Sequence, residues 1–341
     1  MTVASLLFLN GEIYNFLELR RELEGLGHTF QSATDSEVVL AAYVQWGEEC
    51  QQRFNGMWAF ALWDAREKTL FLSRDRFGVK PLYYVFEKGC FAFGSEMKAF
   101  LPLSWFPVSI DPQNMAFTFQ MKLSLDATEH CLFKNVKRLC AGHCLHIRLN
   151  DVPVIRRWWN TLGQRPLVPG TAEEQVEQFR SLFFDACKIR MRSDVALGTT
   201  LSGGLDSSSI FCVINEIRKR SPDTSGLAAE WQKSVTACFP GCLNDEREYA
   251  QVIVDHTQTQ ANFRNIDPLD VISTFDHVLF SAEEVNDHLN TYWLIYRELR
   301  RAGVVVCLDG HGGDELLGGY PWHTQTARMD AMVWPIDTTA K

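Results

Sequence analysis

Residues 195–208 read VALGTTLSGGLDSS, an apolar run followed by two glycines, an acid and a set of hydroxyls. This stretch decides the fold of the half-chain around it. Val195–Leu201 has strand composition and Ser207–Arg220 has helical spacing, so Ser202-Gly203-Gly204 is a strand-to-helix turn. Glycines let backbone N–H groups converge there, and the helix behind adds its positive end, which together make a cradle for an anion. Ser202, Ser207 and Ser208 supply further donors. No Gly-Lys-Ser/Thr follows, so this is not a Walker A loop. A plain serine-capped turn is the simplest reading, but it leaves Asp206 unexplained, because a carboxylate repels a bare phosphate. A divalent cation between the two removes the conflict, and the loop reads as a site for a Mg²⁺-bridged polyphosphate.

The pattern continues outward from the loop. A long helix over Ala172–Arg192 precedes it; strand Val235–Phe239, helix Glu246–His256, helix Leu289–Arg301 and strand Val304–Leu308 follow. Alternating strands and helices predict a parallel sheet with helices on its faces. The last strand runs into DGHGGDELLGGY (309–320), whose glycines Gly310, Gly312, Gly313 and Gly318 permit close approach to a nucleotide. Asp314 is a second acid that could share a Mg²⁺ with Asp206.

These two stretches resemble known families. SGGLDSS resembles the PP-loop (SGGxDS) of the ATP pyrophosphatases, which split ATP into AMP and pyrophosphate while adenylating an oxygen. Residues 304–320 resemble the SGxGxDExxGGY strand and loop of the asparagine synthetase family. That resemblance implies ATP at Thr200, Ser202, Gly203, Gly204, Asp206, Ser207, Ser208, Phe239, Asp309 and Gly310, with Mg²⁺ on Asp206 and Asp314.

The amino-terminal half has a different texture. Helices are predicted over Phe16–Gly27 and Asp35–Gly47, the second with Thr34 as N-cap, and strands over Met57–Trp63, Leu70–Ser73, Leu82–Phe86 and Cys90–Phe93 in antiparallel hairpins. Pro102, Pro107 and Pro112 mark irregular chain, and residues 131–149 read as another strand pair. Cys140 and Cys144 with His143 and His146 could suggest zinc, but the alternation of Leu139, Ala141, Leu145 and Ile147 reads as strand. Trp158-Trp159 is expected to pack a domain junction.

NGEIYN (10–15), SATDSEV (32–38), FNGMWAFALWD (54–64), SRDRFGVKPLYY (73–84) and FGSEMKA (93–99) resemble, in order, the class II glutaminase domain that precedes the synthetase domain in the asparagine synthetase family. Alone, Asn10-Gly11 is turn chemistry and Asp35 a helix N-terminal charge. The resemblance instead implies that the Asn10 side chain and Gly11 N–H form an oxyanion hole. Asn10, Gly11, Glu12 and Asp35 would bind glutamine, with Asp35 facing its α-ammonium. The implied fold class is α+β, an incomplete N-terminal-nucleophile αββα sandwich, followed by an incomplete α/β PP-loop domain with a parallel sheet. The expected boundaries are 1–150 for the glutaminase-type domain, 151–171 for a linker and 172–341 for the PP-loop domain.

Three departures shape the functional expectation. The family's nucleophilic cysteine and its glutamine-carboxylate arginine lie upstream of Asn10, and Thr2, though an N-terminal hydroxyl after Met removal, leads straight into the Asn10 strand and is out of place. The family's catalytic lysine lies beyond Tyr320. The chain is thus expected to be truncated at both ends and to lack glutaminase activity. Thirdly, asparagine-forming members carry a glutamate at the position of His311, where it supports the β-aspartyl-adenylate.

The function expected is ATP-dependent adenylation of a carboxylate (aspartate in the parent family), then amide formation with ammonia from glutamine. Alternatives are a related ligase acting on another carboxylate (lactam, peptide or sugar modification) and a non-catalytic binding module. The partners expected are these small molecules, with a homodimer in the full-length parent. A net charge of −9 argues against nucleic acid. No apolar run reaches membrane-span length. Ten cysteines without a CxxC, and no basic leader ahead of the first apolar run, point to the cytoplasm.

Overall fold

The computed structural model describes residues 5–121, 125–164, 166–220, 233–243, 245–285 and 289–333. Thr2 and the closing residues 334–341 lie outside them. The chain divides into two compact units, Met1–Gln175 with Phe275–Leu289, and Val176–Thr274 with Asn290–Lys341.

Unit 1 runs β1 (Ser5–Ile13), α1 (Phe16–Gly25), α2 (Asp35–Trp46), α3 (Cys50–Arg53), β2 (Gly56–Asp64), β3 (Thr69–Arg74), β4 (Tyr83–Glu87), β5 (Cys90–Gly94), α4 (Pro112–Met121), β6 (Lys137–Arg138), β7 (His143–Arg148) and β8 (Val154–Arg157). Among the described residues, two antiparallel sheets form, one in the order β1-β2-β3-β7-β8 and one in the order β5-β4-β6. The layers follow from strand alternation. Ala59 and Ala61 of β2, Leu72 of β3 and Leu145 of β7 point between the sheets, onto Leu82, Tyr84 and Leu139. Their sequence neighbours Trp58, Phe60, Phe71 and Cys144 point the other way, onto Leu19 and Leu23 of α1 and Val38, Val39 and Ala42 of α2. Burial on both faces explains why MWAFALW is apolar almost throughout although its sheet is antiparallel. Beyond the second sheet, Tyr83 and Val85 pack on Met97, Phe100 and Phe106, with Met115 of α4 against them. The result is the αββα layering expected.

Several local readings change. The strands within 131–149 do not pair with each other: β6 joins β4, and β7 joins β3. Alternation marks a strand but does not choose its partner. The proline-marked stretch is irregular only up to Asp111. There Asp111 Oδ1 accepts the N–H groups of Gln113 and Asn114 (2.9 and 3.1 Å), and Pro112 opens α4 at the position where a missing N–H costs nothing. Strand β8 lies inside the stretch read as linker and pairs with β7. Trp158 stacks on Trp58 (5.7 Å, 21°) within unit 1 instead of packing a junction. Cys144 is buried on β7, and among the described residues no group of three or more His, Cys, Asp or Glu is placed to hold a metal.

Unit 2 continues with α5 (Ala172–Arg190), β9 (Leu197–Thr200), α6 (Leu205–Arg220), β10 (Lys233–Cys238), α7 (Arg247–Thr257), β11 (Ala261–Asn265), α8 (Pro268–Ala282), α9 (Leu289–Arg301), β12 (Val306–Leu308), α10 (Gly313–Leu317) and α11 (Pro321–Val333), with α5, α8 and α9 each crossing a unit boundary. The four strands form a parallel sheet in the order β11-β10-β9-β12. Cys187 of α5 and Val213, Ile214 and Ile217 of α6 pack with Leu197, Val306 and Leu308, while Ile295 and Leu299 of α9 pack with Val235. Among the described residues no helix is long and apolar enough to cross a membrane.

Candidate functional site

Strand order fixes where a ligand can sit in unit 2. The chain steps from β9 to β10 to β11 on one side, then returns to place β12 on the other side of β9. In open parallel sheets a binding crevice forms where the order reverses, outside the carboxyl ends of the strands. SGGLDSS leaves β9 at that end and DGHGG leaves β12 there.

The two loops touch. A Cβ on Gly310 would stand 2.9 Å from the Ser207 nitrogen and 3.0 Å from Asp206 Cβ, and one on Gly313 would overlap the Asp206 carboxylate. Gly203 (φ +84°) lies under α7, where a Cβ would meet the Ala250 nitrogen at 2.6 Å. The loop is braced from within: the Ser202 and Ser207 hydroxyls bond each other (2.9 Å), Ser202 Oγ accepts the Gly204 N–H (3.2 Å), and Ser207 Oγ accepts the Ser202 N–H (3.2 Å). Two hydroxyls expected to face a phosphate are therefore engaged in shaping the loop. The Ser208 hydroxyl is buried without a hydrogen-bond partner. Thr200 ends β9, and Phe239 lies half-buried one residue past β10, on the same edge of the sheet.

In unit 1 the candidate residues are carried by a strand. Asn10, Gly11 and Glu12 pair with Ala59, Trp58 and Met57, so Asn10-Gly11 is extended chain and not a turn. Gly11 (φ +151°) lies so close to β2 that a Cβ would overlap Met57 O and stand 2.7 Å from Trp58 Cα. Asp35, the first residue of α2, accepts the Ile13 N–H on Oδ2 (3.0 Å), which brings it to the end of β1 beside Glu12. Asn10 Nδ2 donates to Ser95 Oγ (3.2 Å). Ser95 was not singled out by residue type, and only its place in FGSEMKA signals it.

The SRDRFGVK stretch proves to be a brace. The carboxylate of buried Asp75 accepts N–H groups from Trp58, Phe77, Val79 and Lys80 at 3.0–3.2 Å. Arg74 donates to the carbonyls of Gly78, Lys80 and Leu139 at 2.7–2.8 Å. Leaving these buried charges unpaired would be costly, which accounts for the acid and base together.

Comparison with known proteins finds two families matched one after the other along the chain. A glutamine amidotransferase domain family matches residues 2–159, and an asparagine synthase family matches residues 178–339. A Methanocaldococcus jannaschii protein provisionally named as glutamine-hydrolysing asparagine synthetase 2 is 35% identical over 326 residues, covering 94% of this chain and 60% of its own length. Bacillus subtilis asparagine synthetase [glutamine-hydrolyzing] 3 is 32% identical over 325 residues, covering 92% of this chain and 52% of its own. The chain belongs to the asparagine synthetase family. It spans about half the length of the curated relatives it matches.

The loop after β12 carries a linked set of titratable side chains. His311 Nδ1 lies 3.0 Å from Asp309 Oδ1, the His311 backbone N–H donates to the same oxygen (3.2 Å), and the Tyr296 hydroxyl donates to Oδ2 (2.8 Å). Burial works to raise the Asp309 carboxyl, but the hydrogen bonds and charge of His311, with the Tyr296 hydroxyl, outweigh it and hold it below its usual value. The hydrogen bond to Asp309 raises the imidazole above its usual value against the effect of burial. Burial, then the Asp309 charge, pushes the Tyr296 phenol up. Tyr292 stands edge-on to the imidazole (4.9 Å, 78°). Both tyrosines come from α9, and nothing in the sequence ties that helix to the loop.

Proposed function

We propose that the chain contributes to a glutamine-dependent amide ligase in which ATP adenylates a carboxylate and ammonia from glutamine then displaces AMP. The observation that carries this reading is the meeting of SGGLDSS and DGHGG at the point where the strand order reverses. Backbone N–H groups of Gly203 and Leu205 and the N-terminal end of α6 would hold the phosphates, with Thr200, Phe239, Asp309 and Gly310 around the nucleotide.

The donor chemistry fits Mg²⁺. Asp206 lies against Gly313, while the carboxylate of Asp314 lies against Gly319; Mg²⁺ commonly takes one or two carboxylates and completes its shell with phosphate oxygens and water, so Asp206, with Asp314 turned towards it, would hold the ion. When bound there it offsets charge on the departing pyrophosphate. In unit 1, Asn10 and Gly11 would stabilise the oxyanion of glutamine hydrolysis, and Glu12 and Asp35 would hold the glutamine head group. The first cysteine of the chain, Cys50, is buried in the core beside α2, and burial pushes its thiol to about 12, so it does not serve as the nucleophile. These 341 residues alone are expected to release no glutamate from glutamine.

His311 favours a second acceptor reading, a carboxylate other than aspartate, because it cannot supply the fixed negative charge of a glutamate. Calorimetric titration with Mg²⁺–ATP tests the main proposal. We expect binding that Asp206→Ala weakens at least tenfold, and wild-type chain that binds no ATP would leave the non-catalytic module as the better account.

A further inference from the structure

We propose that His311 Nε2, oriented by Asp309 and flanked by Tyr292, recognises the acceptor and selects a carboxylate that carries no free ammonium group beside its reacting carboxyl. The inference rests on the ATP-site reading above and adds the substrate class.

The geometry supports this in three steps. First, Asp309 faces inward. One oxygen takes the His311 ring and backbone N–H, the other takes Tyr296, and its side chain is 19% exposed, so the acid presents little to a ligand. Second, Nδ1 is engaged with Asp309, which leaves Nε2 as the outward nitrogen of a ring whose side chain is 51% exposed. Third, the ring stands one residue after Gly310, whose Cα packs on Ser207 and Asp206 of the phosphate loop. His311 thus stands beside the phosphate loop, where on the ATP-site reading an acceptor carboxylate would approach.

Charge gives the selectivity. The groups facing the ring are Asp309, Glu315 one turn along, and the Tyr292 and Tyr296 rings from α9; both acids favour the protonated imidazole. The outward nitrogen then presents an N–H donor. A carboxylate, carbonyl or the carbonyl of an acylated amine accepts from it, whereas an ammonium meets like charge at that nitrogen. The asparagine-forming members that the sequence resembles carry an acid at position 311; here the acid stands at 309 and faces inward, and a donor takes the outward place.

The test is a calorimetric titration of the chain, saturated with Mg²⁺ and a non-hydrolysable ATP analogue, with succinate, N-acetyl-L-aspartate and L-aspartate. We expect the first two to bind at least tenfold tighter than L-aspartate, His311→Glu to invert that order, and Asp309→Asn to bring the ratio towards one. Tightest binding by L-aspartate, binding by none of the three, or an unchanged ratio in His311→Glu would overturn the proposal while leaving the ATP site standing. Weaker binding of the ATP analogue in His311→Gln without a change of ratio would assign the ring to the triphosphate and also overturn it. Wild-type chain that takes no ATP analogue would remove the ATP-site reading and this proposal with it.

Discussion

The glutamine-type residues of unit 1 and the phosphate loops of unit 2 are held in place by different means. Asn10, Gly11 and Glu12 sit within a strand whose whole length is paired to β2, and Asp35 joins them through one hydrogen bond to Ile13. Ser202–Ser208 and Asp309–Gly313 sit at strand ends, braced by their own hydroxyls and by glycines that let backbones approach. A site woven into a sheet shares its backbone with the core, so substitutions there act first on stability. A site in strand-end loops rests on a core it does not build, so substitutions there act first on binding.

The sharpest way to break this contrast is Gly11→Ala. Its Cβ has no room against Met57 and Trp58, and we expect unit 1 to lose about 4 kcal/mol, read by urea denaturation. An effect below about 1 kcal/mol would show that the strand can shift and the site is less rigid than its pairing implies.

Next is Glu284→Ala. Buried Arg138 donates to Glu284 Oε1 (2.8 Å) and also pairs with Asp126 (3.0 Å). Stranding a buried charge costs about 3–5 kcal/mol; because Asp126 remains, we expect about 2 kcal/mol in the same assay.

In unit 2, Asp206→Ala should leave the unfolding free energy within about 1 kcal/mol of wild type while lowering ATP affinity at least tenfold, or about 1.4 kcal/mol, since its side chain lies in the loop and not in the core. Equal loss of stability and binding would erase the distinction between the two sites.

The smallest effect concerns pH. His311 is raised on folding, so its contribution is full below about 6.5 and is lost as pH climbs through the folded value; Asp309 is lowered, so its contribution is present above about 4 and lost as pH falls. The pair therefore helps most between these limits. It contributes less than about 1 kcal/mol, because half of the imidazole side chain is open to solvent. NMR titration should place the His311 imidazole above its usual value in wild type and lower in Asp309→Asn.

Much of this was legible locally. The helices at Phe16, Asp35 and Leu289 start where apolar spacing places them, although Thr34 makes no side-chain cap hydrogen bond, and the two glycine–acid loops meet at one end of the sheet as their residue mix suggests. Ser95, Tyr292 and Tyr296 were not legible, because their partners Asn10, His311 and Asp309 are distant in sequence or on another element, and a serine or tyrosine carries no signal of its own.

By itself the sequence determined the elements, the glycine-dependent loops and the charges available to them, since these depend on backbone freedom and side-chain chemistry within a few residues. Only the tertiary structure decided that β12 lies beside β9 and so opens the crevice, that β6 and β7 part to separate sheets, and that the Asp309 carboxylate turns inward to Tyr296 and leaves His311 facing out. Each is a pairing between distant segments, chosen by the whole set of buried faces and polar partners together.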